Sequence, residues 1–86
     1  MRRYIAKLTF EVGEAGVPFI HGVEAQDMDS AQRKIQWYMH EWYGEKPDEE
    51  TENQWVWYNL GVRVKLSMLS EVKNFVSLWQ ETMPIR

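Results

Sequence analysis

From Arg3 to Val12 the chain alternates, with Tyr4, Ala6, Leu8, Phe10 and Val12 on one parity and Arg3, Lys7, Thr9 and Glu11 on the other. That period of two predicts a half-buried strand. Gly13 to Gly16, "GEAG", supplies two glycines for a reversal, and Val17, Phe19, His21, Val23 and Ala25 resume the alternation, so the two segments predict an antiparallel hairpin. The spacing then changes. Met28, Ala31, Ile35, Tyr38, Met39 and Trp42 recur at steps of three and four, which at 100° per residue forms one apolar stripe on a helix. Asp27 is placed to accept bonds from its first free amides, Asp29 adds negative charge at the positive end of its dipole, and Gly44 followed by Pro47 ends it.

The stretch "GEKPDEETENQ", Gly44 to Gln54, is polar and has no periodic apolar position, and it reads as a solvated loop. After it, Val56, Tyr58, Leu60, Val62, Val64, Leu66 and Met68 share one parity, with Trp55, Trp57, Arg63 and Lys65 on the other. The run is either one long strand bulged at Gly61 or two strands joined by a short turn. The uninterrupted parity favours the single strand. Finally Val72, Phe75, Val76, Trp79 and Met83 stand at helical spacing behind Ser70, a candidate cap, and Pro84 closes the segment. The order strand, strand, helix, strand (or hairpin), helix predicts an α+β two-layer sandwich. Its antiparallel sheet would have three or four strands, with two helices on one face, the even face of the third strand.

Eighty-six residues suit one domain, because a chain this short buries only about 60% of its unfolded surface and cannot fill two cores. The absence of cysteine removes disulfides, thiolate metal sites and cysteine nucleophiles together and suits a reducing compartment, the cytoplasm. No apolar run approaches the roughly 18 residues of a membrane span. Ten basic residues against thirteen acidic ones leave a formal charge of −3, which opposes indiscriminate binding to phosphate backbones. Much of the negative charge is local: Glu45, Asp48, Glu49, Glu50 and Glu52 lie in one short stretch.

Catalytic signatures are missing. There are two histidines, His21 and His40, and no glycine-rich phosphate loop, no G-x-S-x-G and no H-E-x-x-H. His40 precedes Glu41, but neighbours on a helix point about 100° apart, so His40 reads as a polar residue on a wet helix face. His21 falls on the inward parity and reads as a hydrogen-bonded rim residue. A calcium loop beginning at Asp48 would want glycine at its sixth position and glutamate at its twelfth, where this chain has Asn53 and Asn59. No metal or cofactor is called for, and the acidic stretch reads as a solubilising loop or as a negative surface for a basic partner.

The aromatic positions carry the functional expectation. Opposite the buried stripe of the first helix, Trp37 should face outward beside Arg33 and Glu41, as an anchor for a partner or under a covering loop. If helices cover only the even sheet face, Trp55 and Trp57 line an open face with Arg63, Lys65 and Lys7. Two exposed tryptophans would approach the few hundred Å² that marks a contact site. The cover there is a second copy of the chain, another protein, nucleic-acid bases or the chain's own loop. Two classes follow: a non-enzymatic protein-interaction module, or a single-strand nucleic-acid binder in which bases stack on Trp55 and Trp57 while Arg63, Lys65, Lys7 and Arg3 meet phosphates. The stretch "VRVKLSML" lacks the glycine-and-aromatic pattern of RNA-recognition sheets, and the net charge also favours the first.

The layout "FIHGVEAQDMDSAQRKI", a strand running into an Asp-capped helix with Ala31 in its first turn, resembles that of small phage-encoded anti-defence proteins, anti-CRISPR proteins among them. The resemblance covers mainly residues 3 to 44. It implies an inhibitor from a phage or mobile element that binds and blocks a host defence protein or nucleoprotein complex, with no catalytic residues to carry over.

Overall fold

A computed structural model of the chain describes residues 1–72 and 83–85. Strands β1 (Arg2–Val12) and β2 (Ala15–Ala25) form the expected hairpin, in register from Arg2 opposite Ala25 to Val12 opposite Ala15. Only Gly13 and Glu14 remain for the turn, and Gly13 takes φ +60°, the left-handed region that a tight hairpin turn requires and a side chain resists.

Helix α1 (Met28–Trp42) follows. The Asp27 carboxylate accepts the Ser30 amide at 2.7 Å, which satisfies one of the orphan donors of the first turn. That bond, with the charge of Arg33 nearby, holds the Asp27 carboxyl below its usual range. Gly44 ends the helix at φ +71°, its amide donating to the Glu41 carbonyl at 3.2 Å. Ala31, Ile35 and Met39 are fully buried, so the predicted stripe is the inner face, though Met28 lies largely exposed at its start.

The remaining described strands are β3 (Glu49–Glu50), β4 (Gln54–Trp57), β5 (Val62–Glu71) and β6 (Met83–Ile85). They complete one sheet in the order β3-β4-β5-β1-β2-β6, antiparallel except at the last step, where β6 runs parallel to β2 from His21 to Val23. The sandwich of two helices on a three- or four-stranded antiparallel sheet is therefore corrected. Among the described residues there is one helix on a six-stranded sheet. The second expected helix falls mostly on residues 73–82, outside the described residues, but its cap and its end do not. Ser70 lies in β5 opposite Ile5, and Met83 and Pro84 lie in β6.

Between Lys7 and Leu8 the β5 partner jumps from Met68 to Leu66, leaving Ser67 unmatched, a bulge that exchanges the faces of the β5 residues beyond it. Pro84, read as a helix stop, sits where proline is tolerated in sheets, on an edge strand.

The larger correction concerns Trp55 and Trp57. They belong to β4, a separate strand joined to β5 by the turn Tyr58–Gly61, with Gly61 at φ +64° and its amide bonded to the Tyr58 carbonyl. A four-residue turn pairs an odd position with an even one: Trp57 lies opposite Val62 and Trp55 opposite Val64. Residues directly opposite share a face. Both tryptophans are therefore on the core side and fully buried, while Val56 points the other way, opposite Arg63. Of the even set expected inside, Val62, Val64 and Leu66 are so placed; Tyr58 and Leu60 are exposed in or beside the turn, and Met68 beyond the bulge. Energy supports this register, because burying an indole of about 150–250 Å² is worth roughly 4–6 kcal/mol, against about 2 for a valine.

The core thus lies between α1 and one sheet face, built from Tyr4, Ala6, Leu8 and Phe10 of β1, His21, Val23 and Ala25 of β2, Val62 and Val64, the two tryptophans and Ile85. Trp42 joins it at the helix end, against Phe10 at 5.0 Å and Tyr38 at 5.1 Å between ring centroids. The Trp57 indole N–H donates to the Glu45 carbonyl at 2.9 Å, whereas that of Trp55 has no hydrogen-bond partner among the described residues. Trp57→Phe should therefore cost about 1 kcal/mol more stability than Trp55→Phe, because only the former also deletes a hydrogen bond. Urea-unfolding midpoints of the two variants test this, and equal losses would mean that the Glu45 bond contributes nothing.

Candidate functional site

Helix α1 presents Arg33, Trp37 and Glu41 outward, one turn apart, because each is about half a revolution from Ala31, Ile35 and Met39. Trp37 is 60% exposed, uncovered by loop or hairpin. Arg33 donates to the Ser30 hydroxyl at 3.0 Å. The helix beneath is held on both flanks: Lys34 donates to the Glu24 carbonyl, Gln32 to the Glu52 carbonyl, and the His40 ring meets the Glu50 carboxylate. His40, read as merely wet, is thus part of a tie to the acidic segment.

That segment is more than a solvated loop. Glu49 and Glu50 pair with Val56 and Trp55 as the outermost strand. The Asp48 carboxylate accepts the Tyr58 amide at 2.7 Å, and the Asp48 amide donates to the Val56 carbonyl at the same distance. A strand of two residues that carries two carboxylates makes a poor template for another chain. Glu45 and Glu52 stay exposed and contribute their carbonyls. Tyr58, 62% exposed at the β4–β5 turn, hydrogen-bonds the Glu49 carboxylate, and that bond, with the negative charge of Glu49 and Asp48, raises its phenol above the ordinary tyrosine value.

The sheet face away from α1 keeps only part of the expected site. Lys7, Arg63 and Lys65 are there; Trp55 and Trp57 are on the opposite side of the sheet. A transverse row runs Glu49, Val56, Arg63, Glu11 across four strands. Glu11 takes both cations, Lys65 at 3.3 Å and Arg63 at 3.9 Å. A shallow hollow of about 340 Å³ lies at the ends of the two hairpins, lined by Glu11, Val56, Tyr58, Val62 and Arg63. The proposed base-stacking platform has lost its rings. Sequence reasoning missed Tyr58, whose exposure follows from a turn that "NLG" signals, and Met68, whose outward direction follows from a bulge without a residue signature.

Among the described residues no group of three or more His, Asp or Glu side chains is placed to hold a metal ion, and no helix is long and apolar enough to cross a membrane. Compared with known proteins, the chain matches no family model, no curated protein and no solved structure.

The Tyr58 phenol should titrate above 10.0, the ordinary value, and Glu49→Gln should bring it down by removing both the charge and the charged acceptor. Absorbance titration at alkaline pH, differenced against Tyr58→Phe, reads this directly. A phenol indifferent to Glu49→Gln would show that the pair does not form in solution.

Proposed function

We propose that this chain is a non-catalytic protein-interaction module that docks through the outer face of α1, with Trp37 as anchor and Arg33 and Glu41 as its charged flanks. The observation that carries the reading is the exposure of Trp37. Of the four described tryptophans, Trp55 and Trp57 are fully buried and Trp42 is half-buried, while Trp37 stands in solvent. With Trp37 60% exposed, about 2–4 kcal/mol of burial is forgone, and a partner that covers it recovers that term. Tryptophan and arginine are the side chains most enriched among residues that dominate interface energies.

The scaffold suits the role. Three ties fasten α1 to the sheet and the acidic strand, so little conformational entropy remains to be lost when a partner binds. In its most concrete form the module is an inhibitor of phage or mobile-element origin that occludes a host defence protein or nucleoprotein complex. The hairpin-then-helix order of residues 3 to 44 supports that form.

The test is capture by immobilised full-length chain, quantified for wild type, Trp37→Ala, Arg33→Ala and a Thr9→Ala control on the opposite face. Trp37→Ala should weaken binding of the captured partner at least tenfold, about 1.4 kcal/mol or more, with an unchanged melting transition because its ring supports no core contact. A partner held equally well by Trp37→Ala would overturn the reading.

A further inference from the structure

The sheet face away from α1 has a composition of its own. Lys7 stands in register between Ile20 of β2 and Met68 of β5, and these two apolar side chains are 44% and 42% exposed. Met68 is there because of the bulge. Ser67 is the unmatched residue, its hydroxyl donating to the Lys7 carbonyl at 3.2 Å, so Met68 turns outward while Leu69 turns to the core. Along the same face, Thr9 lies between Pro18 and Lys65, and Glu11 between Gly16 and Arg63.

Charge on this block is unbalanced. Glu11 serves both Lys65 and Arg63, and Lys7 has no ion pair among the described residues. Within the rows of Lys7, Thr9 and Glu11 on β2, β1 and β5, three cations thus stand with one carboxylate, Glu49 lying beyond Val56 at the edge of the sheet, in a chain whose net charge is −3. Charge segregated in this way, around exposed apolar side chains, marks complementarity to a partner of opposite sign. Solubility alone is served better by interspersed signs.

We infer that this face is a second docking surface, for an acidic segment of a partner protein that carries apolar residues among its carboxylates. The carboxylates meet Lys7, Lys65 and Arg63, and the apolar residues cover Ile20 and Met68. Nucleic acid would find cations here but, with Trp55 and Trp57 on the other side, only the Tyr58 ring at the β4–β5 turn, beside the Glu49 and Asp48 carboxylates, on which to stack a base. It would also gain nothing from Ile20 and Met68. This surface is separate from Trp37, across the sheet from α1, so either can fail without the other.

The probe is a short synthetic peptide of Glu, Asp, Leu and Phe, added to isotope-labelled full-length chain while backbone amide shifts are followed. Two controls replace it: the same peptide with Leu and Phe changed to Ser, and single-stranded oligothymidylate. The acidic apolar peptide should give saturable shifts at Lys7, Lys65 and Met68 that weaken as salt rises from about 0.1 M to about 1 M, where the screening length falls from about 10 to about 3 Å. Lys7→Glu with Lys65→Glu, and separately Met68→Ser, should each lower affinity about tenfold, equivalent to 1.4 kcal/mol, with Trp37→Ala unaffected. The inference is overturned if no shifts occur, if they lie elsewhere, or if the serine peptide binds as well. Stronger shifts with oligothymidylate would also overturn it, in favour of nucleic acid. A concentration-dependent dimer in light scattering, abolished by Lys7→Glu, would overturn it in favour of a second copy of the chain.

Discussion

The register of the β4–β5 hairpin is the constraint on which the rest of the molecule depends. Four residues, Tyr58 to Gly61, separate the paired Trp57 and Val62, and Gly61 supplies the left-handed backbone that lets the turn close. One residue more or fewer would exchange the faces of β4, sending two indoles into solvent and Val56 into the core. With the register as it is, Trp55 and Trp57 fill the space beneath the helix, and Tyr43 stacks edge-on against Trp57 at 4.9 Å between centroids. Aromatic contacts continue through Trp42 to Phe10 and Phe19, giving a small domain a core of large side chains where it has no disulfide to help it.

Burial of the tryptophans also decides what the surfaces can be. Once they are inside, the sheet face opposite α1 carries Lys7, Arg63, Lys65, Glu11, Glu49 and several apolar side chains, and the most exposed of the described indoles, Trp37, is on the helix. The acidic segment is drawn into the same arrangement. Its backbone forms the edge strand and receives the Trp57 indole, while Glu50 and the Glu52 carbonyl meet His40 and Gln32. Acidity therefore does two jobs here, closing an edge against unwanted pairing and fastening the helix.

Sequence and structure part company at identifiable residues. The β1–β2 hairpin, the Asp27 cap, the stripe of Ala31, Ile35 and Met39, the Gly44 stop and the outward Trp37 were all legible, because each depends on spacing or on the conformational preference of one residue. Lys7, Arg63 and Lys65 were rightly placed on one face together, since they lie on strands whose local alternation is regular. Trp55 and Trp57 were misplaced for a specific reason: unbroken parity from Val56 to Met68 looked like one strand, and an even-numbered turn at "YNLG" preserves numbering parity while exchanging faces. The bulge at Ser67 did the same to Met68 and Leu69, and Ser70, a residue type that also caps helices, stands in β5 opposite Ile5.

What the sequence by itself determined is local: where strands alternate, where the helix begins and ends, which of its faces is apolar, and that no cysteine or familiar catalytic pattern is present. The tertiary structure decided which face each half of residues 54 to 71 presents, that Glu49 and Glu50 form an edge strand, and that β6 joins the sheet in parallel. The physical reason is the two-fold period of a strand. Alternation tells which residues belong together, but only pairing with a neighbour, through turn length and bulges, tells which side they face.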